Sequence, residues 1–400
     1  MSGIHSGLRR ASAFLIGVVF FLSGIFKLMD PVGAGLVVGE YFNFFHVGFL
    51  KGASLPVAVI LSFVEALTGI ALITGVYRKL AAMVAALLTA FFTLVTLVLW
   101  IFNPAMDCGC FGEVIHLTHA QTFLKNVGLC LLAAVAFLPA RDYGKPRNHR
   151  YAAFWIVAVS TAVFAAYSLR YIPLMDFTPF NTSSKLMAAA PAAEGEEDAY
   201  VSTFIYEKNG KQGVFTLDRL PDSTWTFVRT ETMLRQDNIQ ETDYPVLSFT
   251  DAEGTYCDSL ACDPAVMVVS VYDVEALSTP GWEQIRDLLQ MSEKAGFTTL
   301  LLAASTPAAF PQEQLPGVGK YLYFADYRTL ISLNRSNGGA TYFNDGNLIR
   351  KWARVKYPRQ KDLDWMYQRN STDVMLASDS RGRITFQAFI LYAFAMMLFV

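Results

Sequence analysis

Cys108-Gly109-Cys110-Phe111-Gly112-Glu113 lies in a short polar loop between two hydrophobic runs, residues 80–102 and 123–138. Two thiols one glycine apart, at the mouth of a membrane helix pair, point to chemistry held at the bilayer surface. Cysteine is scarce elsewhere in the chain: the others are Cys130, Cys257 and Cys262. A disulfide needs its two α-carbons within roughly 4.4–6.8 Å, which an i, i+2 pair can just meet when the middle residue bends freely. Glycine is the residue that does so. The ring closed in this way is small and strained, and strained disulfides are of the oxidising, exchangeable kind.

Composition carries the membrane reading outward from this loop. Of 400 residues, 53% are hydrophobic and 16% charged, with a mean hydropathy of +0.34. An ordinary soluble protein has about a quarter of its residues charged. The net charge of −2, with no basic run, gives no sign of nucleic-acid binding. Spanning helices need about 17–25 apolar residues. Residues 11–29, 56–75, 80–102, 123–138 and 151–172 are the candidate spans, and a sixth, 384–400, is at the short end. Arg9-Arg10 ahead of the first run resemble the start of a secretory signal. No small-residue cleavage site follows, so the run reads as a retained span.

Orientation follows from Lys and Arg near the helix ends. Arg9 and Arg10 precede span one, Arg78 and Lys79 link spans two and three, and Arg141, Lys145, Arg147 and Arg150 link spans four and five. Alternating spans put all of these on the cytoplasmic side of a bacterial inner membrane. The Cys-Gly-Cys loop and the soluble domain then face the periplasm, where disulfides persist.

The expected organisation is a membrane domain over residues 1–140, a fifth span within 141–172, a linker over 173–198, a small β-rich segment over 199–250, an α/β domain over 251–383 and a last span over 384–400. In the β-rich segment, residues 201–207 and 213–217 alternate as strands around a Lys208-Asn209-Gly210-Lys211 turn. Residues 265–272, 298–304 and 321–325 read as buried strands, and 282–294 and 327–335 as helices. Residues 340–343 and 348–352 form a hairpin across Asn344-Asp345-Gly346, and 362–368 close the domain as a helix.

This order of elements resembles the bacterial thioredoxin-like family. Where that family places Cys-x-x-Cys after the first central strand, the chain reads Tyr272-Asp273-Val274-Glu275. Where it places a cis-proline, the chain reads Asn337-Gly338-Gly339-Ala340-Thr341. The expectation is a domain that keeps the shape without the reaction. Cys257 and Cys262, spaced C-x4-C, are a candidate structural disulfide or two unrelated thiols. The alternative is a redox pair serving the membrane site.

The membrane half resembles the DoxX/MauE family of bacterial integral membrane proteins over residues 11 to about 140. The carrying residues are Gly17, Ser23-Gly24-Ile25-Phe26-Lys27-Leu28 with Asp30-Pro31, Glu65 with Gly69, Asp107-Cys108-Gly109-Cys110-Phe111-Gly112, Thr122 and Lys125-Asn126. The resemblance implies a four-helix membrane bundle linked to periplasmic thiol–disulfide traffic. In the methylamine-utilisation branch it implies maturation of a disulfide-rich amine dehydrogenase. The fold class expected overall is an α-helical membrane bundle, with a four-helix core and further spans, carrying an extracytoplasmic α/β thioredoxin-like domain.

Glu65 sits near the middle of span two. A carboxylate at that depth normally faces a bundle interior and serves ion, proton or cofactor pathways. The bland alternative is a protonated Glu65 hydrogen-bonded to a neighbouring helix. Lys27 either snorkels toward the outer interface or stands as a cation beside a thiol and favours the thiolate. Cys108, Cys110, His116 and His119 have the composition of a Cys2His2 zinc site, but C-x-C is tighter than its usual gap, and no metal is expected. Cys130 reads as a small apolar residue within span four.

Three function classes remain. One is a membrane thiol–disulfide oxidoreductase with Cys108 and Cys110 as the couple, Glu65 and Lys27 in support, and electrons exchanged with a quinone or a partner protein. The second is a non-enzymatic assembly factor whose outer domain holds a secreted client. The third is a small-solute or metal-handling protein built around Glu65. Partners expected are a periplasmic client or thiol–disulfide protein and membrane lipid.

Overall fold

The computed structural model describes residues 2–104, 106, 108–113, 117–138, 147–182, 184–186, 200–208, 211–216, 220–222, 224–234, 245–310 and 317–377. The expected span over 384–400 lies outside them. The described residues fall into two compact units, one up to Leu169 and one from Arg170 onward.

In the first unit, α1 (Ser2–Met29) is followed by α2 (Pro31–Phe44), α3 (Ser54–Thr74), α4 (Arg78–Phe102), a short extended run β1 (Cys110–Glu113), α5 (His119–Phe137) and α6 (Asn148–Arg170). All of these helices except α2 fall within stretches long and apolar enough to cross a membrane, five in all among the described residues. The sequence reading passed over α2. Its start is locally encoded: Asp30 caps it, accepting from the Gly33 amide at 2.9 Å, and Pro31 opens it. At about 1.5 Å per residue its 14 residues are too short to span. The fourth span, short when read from 123, begins at His119 because Thr118 and Gln121 form a capping box there.

Close contact between α1 and α3 organises the bundle. A Cβ on Gly24 would meet the Ser62 carbonyl at 2.5 Å and the Ala66 amide at 2.6 Å, and one on Gly69 would meet the Phe21 amide at 2.4 Å. Small residues at such crossings let backbones approach where no hydrophobic drive exists. Ile16 and Phe20 of α1 then join Ile70 of α3, Ala85 of α4, Leu129 of α5 and Phe154 of α6 in one buried core. At one end of the bundle arginines cap helix carbonyls: Arg9 reaches Ala136, Arg78 reaches Gly75 and Arg150 reaches Thr74.

The second unit is a mixed α/β domain with a separate small sheet. The small sheet, order β3-β2-β4, is antiparallel: β2 (Tyr200–Lys208), β3 (Lys211–Thr216) and β4 (Thr226–Leu234). β4 was not anticipated, although Thr226, Val228, Thr230 and Thr232 alternate with a strand's period. The larger sheet contains β5 (Phe249–Thr250), β6 (Val266–Val271), β7 (Thr298–Ala303), β8 (Leu322–Ala325), β9 (Gly339–Asn344) and β10 (Asn347–Trp352), in the order β10-β9-β6-β7-β8-β5. β6 pairs parallel to β7 and antiparallel to β9, and all its residues are buried, as its unbroken apolar run requires.

Alternation splits β6 between two cores. Met267, Val269 and Val271 face α7 (Thr279–Ala295) and α9 (Gln360–Tyr367), while Val266 and Val268 face α8 (Tyr327–Leu333). The β9–β10 turn has Asp345 and Gly346 at φ +49° and +74°, the conformation that Asp-Gly favours in tight hairpins.

Part of the expected linker is built into this domain. Leu186 donates from its amide to the Gly346 carbonyl at 2.7 Å, the Leu348 amide donates to Ser184, and Lys351 pairs with Asp176 at 2.5 Å. Phe180 and Leu186 are buried in the core beneath.

Candidate functional site

Helical spacing builds the site first. Ser23 and Lys27 stand at i and i+4 on α1, so they share a face. Gly24 brings that face against α3, where Glu65 lies one turn before Gly69. Lys27 Nζ is 2.7 Å and 2.9 Å from the two Glu65 carboxylate oxygens. Glu65 is 1% exposed and the Lys27 side chain 11%, so this is a buried ion pair. Lys27 also stands 5.3 Å from the centre of the Phe92 ring.

Lys27 turns inward, with its nitrogen on Glu65. Glu65 has the Lys27 nitrogen within 2.9 Å of both its oxygens, across from α1.

Ser23 connects this pair to the cysteine loop. Its hydroxyl is 2.8 Å from Glu65 Oε2 and 2.8 Å from the Cys110 carbonyl oxygen, one proton facing two acceptors. From α2, the Tyr41 hydroxyl donates to the Cys108 carbonyl at 2.5 Å. Between them Gly109 sits at φ +57°, and a Cβ there would lie 2.4 Å from Val37 Cγ1. Only glycine fits both the left-handed backbone and the contact with α2. The Gly112 amide closes the turn on the Gly109 carbonyl at 3.2 Å.

The two thiols differ in setting. Cys108 is buried and Cys110 half-buried. Cys108 Sγ lies 2.8 Å from His119 Nδ1, and His119 Nε2 lies 3.0 Å from the Pro104 carbonyl oxygen. A carbonyl only accepts, so the hydrogen-bond network assigns the ring proton to Nε2 and leaves Nδ1 to the sulfur. Sequence reasoning weighed His119 as a metal ligand or as the opening of span four, and missed Ser23, Val37 and Tyr41 as parts of the site. The Thr118–Gln121 capping box was a legible signal that His119 opens a helix beside the loop.

Among the described residues no three His, Cys, Asp or Glu side chains gather as a metal site. His116 lies outside the described residues. On α5, Thr122 and Asn126 are buried, and Asn126 donates to Thr96 of α4 at 3.1 Å. Cys130 is half-buried with its sulfur 3.3 Å from the Thr93 hydroxyl.

Cys257 and Cys262 belong to the other unit, at the two ends of the short turn Asp258–Cys262, and both stand as thiols. Burial and the nearby Asp251 push the Cys257 thiol above its ordinary 9.0, and burial with Asp263 and Asp258 does the same for Cys262. Both therefore remain protonated at neutral pH and make poor nucleophiles. Alkylation of these two sites in the full chain should be slow at neutral pH and climb only above about pH 9. A rate already at its plateau at neutral pH, read by peptide mapping, would contradict this.

After β6, Asp273 is clamped by Asn337: its amide donates to Asn337 Oδ1 at 3.1 Å, and Asn337 Nδ2 donates to its carbonyl at 2.6 Å. The position is a closed turn with no nucleophile.

Residues 200–237, the small sheet, match a family described as Domain of unknown function (DUF8463). No curated protein and no solved structure matches the chain. Residues 6–139, from α1 through α5 and including the Cys-Gly-Cys loop, match the family described as Methylamine utilisation protein MauE. The chain is therefore a multi-pass membrane protein with five candidate spans, of which residues 6–139 are similar to that family.

Proposed function

We propose that Cys108 and Cys110 are the redox couple of a membrane thiol–disulfide oxidoreductase that serves the maturation of secreted proteins. The carrying observation is the Gly109 turn, with the Cys108 carbonyl bonded by Tyr41 and the Cys110 carbonyl by Ser23, so that two thiols are presented from a backbone held at both ends. A client dithiol gives two electrons and two protons to the oxidised couple. The couple passes them to an acceptor of the quinone class or to a partner disulfide. The name of the matched family supports a client within methylamine utilisation.

The arginine-capped end of the bundle supports a cytoplasmic N-terminus, because Lys and Arg collect on that side of an inner membrane. The cysteine loop lies at the opposite ends of the same helices, which supports a periplasmic setting for it. For the outer domain, the strand order β7-β6-β9-β10 with α7, α8 and α9 between and after supports the thioredoxin-like reading. Its role is to hold a client rather than to react, since the turn at Asp273 has no thiol. Residues 184–186 pair with the start of the β10 edge, at Asn347 and Leu348, which disfavours strand addition by a client at that point.

The test is mass-shift alkylation of the full chain in native membranes across a redox series, with a membrane-impermeant maleimide in intact cells. The couple should titrate reversibly, with a potential well above the roughly −300 mV of structural bridges, and label from outside when reduced. Thiols modified alike in every buffer would refute the function, and labelling only after lysis would refute the orientation.

A further inference from the structure

We propose that Cys110 is the sulfur that meets the client and that His119 is a catalytic acid–base for Cys108, the leaving group. The assignment rests on the redox reading above and deepens it. A thiolate must approach a disulfide along the line of the S–S bond, so the sulfur under attack must be open on its far side. Cys108 is 6% exposed, its carbonyl held from α2 and its sulfur against α5. Cys110 is half-buried, and its carbonyl, rather than its sulfur, bonds Ser23. Of the two residues, Cys110 is the more open to an incoming thiolate.

The electron pair then has a defined path. A client thiolate forms a bond to Cys110 Sγ as the Cys108–Cys110 bond breaks, and the pair departs on Cys108 Sγ. Its charge develops 2.8 Å from His119 Nδ1, which returns to it the proton that the ring took from Cys108 in the preceding reoxidation, so that the imidazolium reverts to the neutral Nε2–H ring. A second client thiol loses its proton and attacks the client sulfur of the mixed disulfide, releasing the client disulfide and Cys110 as a thiol. Reoxidation runs in the other direction, His119 Nδ1 taking the Cys108 proton so that a thiolate can attack. Throughout, the Pro104 carbonyl holds Nε2–H and keeps Nδ1 aimed at the sulfur. This is the base-and-orienter arrangement that activates cysteine nucleophiles, with a backbone carbonyl as the third member.

The experiment uses the full-length chain in detergent, oxidised with diamide, exposed briefly to reduced glutathione, quenched in acid and mapped with maleimide. Glutathione should be found on Cys110 and maleimide on Cys108. His119→Gln and His119→Phe should each slow formation of the adduct about tenfold or more. Glutathione on Cys108, or either variant at the wild-type rate, overturns the assignment. The adduct map needs no variant, so it stands even where a His119 substitution disturbs the loop. A chain in which diamide closes no Cys108–Cys110 bond overturns the redox function as well. One that closes the bond and carries glutathione on Cys108 overturns this assignment alone.

Discussion

Replacing Lys27 with methionine while Glu65 remains should destabilise the membrane domain by about 3–5 kcal/mol, the usual cost of stranding one member of a buried pair. Glu65 is 1% exposed, and both its oxygens lie within 2.9 Å of the Lys27 nitrogen. Among the described groups facing it, Ser23 offers one hydroxyl proton, already drawn to the Cys110 carbonyl. The double variant Lys27→Met, Glu65→Leu removes both charges and should recover most of the loss, since desolvating two ions offsets most of what their attraction contributes.

If the pair acts on the cysteine loop through Ser23, the recovered double variant should still show an altered Cys108–Cys110 potential. Unfolding of the full chain in detergent, with the redox titration run on the same samples, separates stability from function. A Lys27→Met protein that unfolds like the wild type would mean that Glu65 finds another partner and that the ion pair is incidental.

Gly24→Ala should be nearly as damaging, although it adds one carbon. That carbon would stand 2.5 Å from the Ser62 carbonyl and 2.6 Å from the Ala66 amide, both backbone atoms that no rotamer change can move. Helices α1 and α3 would have to part by roughly an ångström to restore ordinary contact distances. The packing cost is about 1–3 kcal/mol or more. The functional cost is larger, because Ser23 and Lys27 flank Gly24 on the moving helix while Glu65 stays on the other. Loss of the hydrogen bonds at 2.7–2.9 Å should release the Cys110 side of the loop. The expected result is a lower unfolding temperature together with faster alkylation of Cys108, whose burial depends on the loop's seating. Wild-type values for both would show that α1 and α3 do not need this close crossing.

The chain's local code was readable to different depths in its two halves. In the α/β domain, each expected strand and helix after residue 264 is present, with ends shifted by a few residues. Apolar runs such as Val266–Val271, helix caps and the Asp345-Gly346 turn are decided within a few neighbouring positions. The membrane spans were readable for the same kind of reason: lipid demands a long apolar run, and such a run needs no partner to be recognised. Helix α2 escaped because its 14 residues are too short to span and its neighbours are equally apolar, even though Asp30-Pro31 marked its start.

The site itself was legible as a set of residues and illegible as an arrangement. Cys108, Gly109, Cys110, Glu65 and Lys27 announce themselves by type: paired thiols about a glycine, and charges where charge is costly. Their partners depend on rotation of α1 against α3 and of α5 against the loop, which contacts between helices far apart in sequence determine. Glu65 meets Lys27 across 38 positions, Ser23 meets the Cys110 carbonyl across 87, and Tyr41 meets the Cys108 carbonyl across 67. An uncharged serine, a tyrosine on an unsuspected helix and a histidine with an ordinary neighbourhood carry no mark of such meetings. Only when Gly24 and Gly69 let two backbones touch do a buried ion pair and a cysteine turn come to share one hydroxyl.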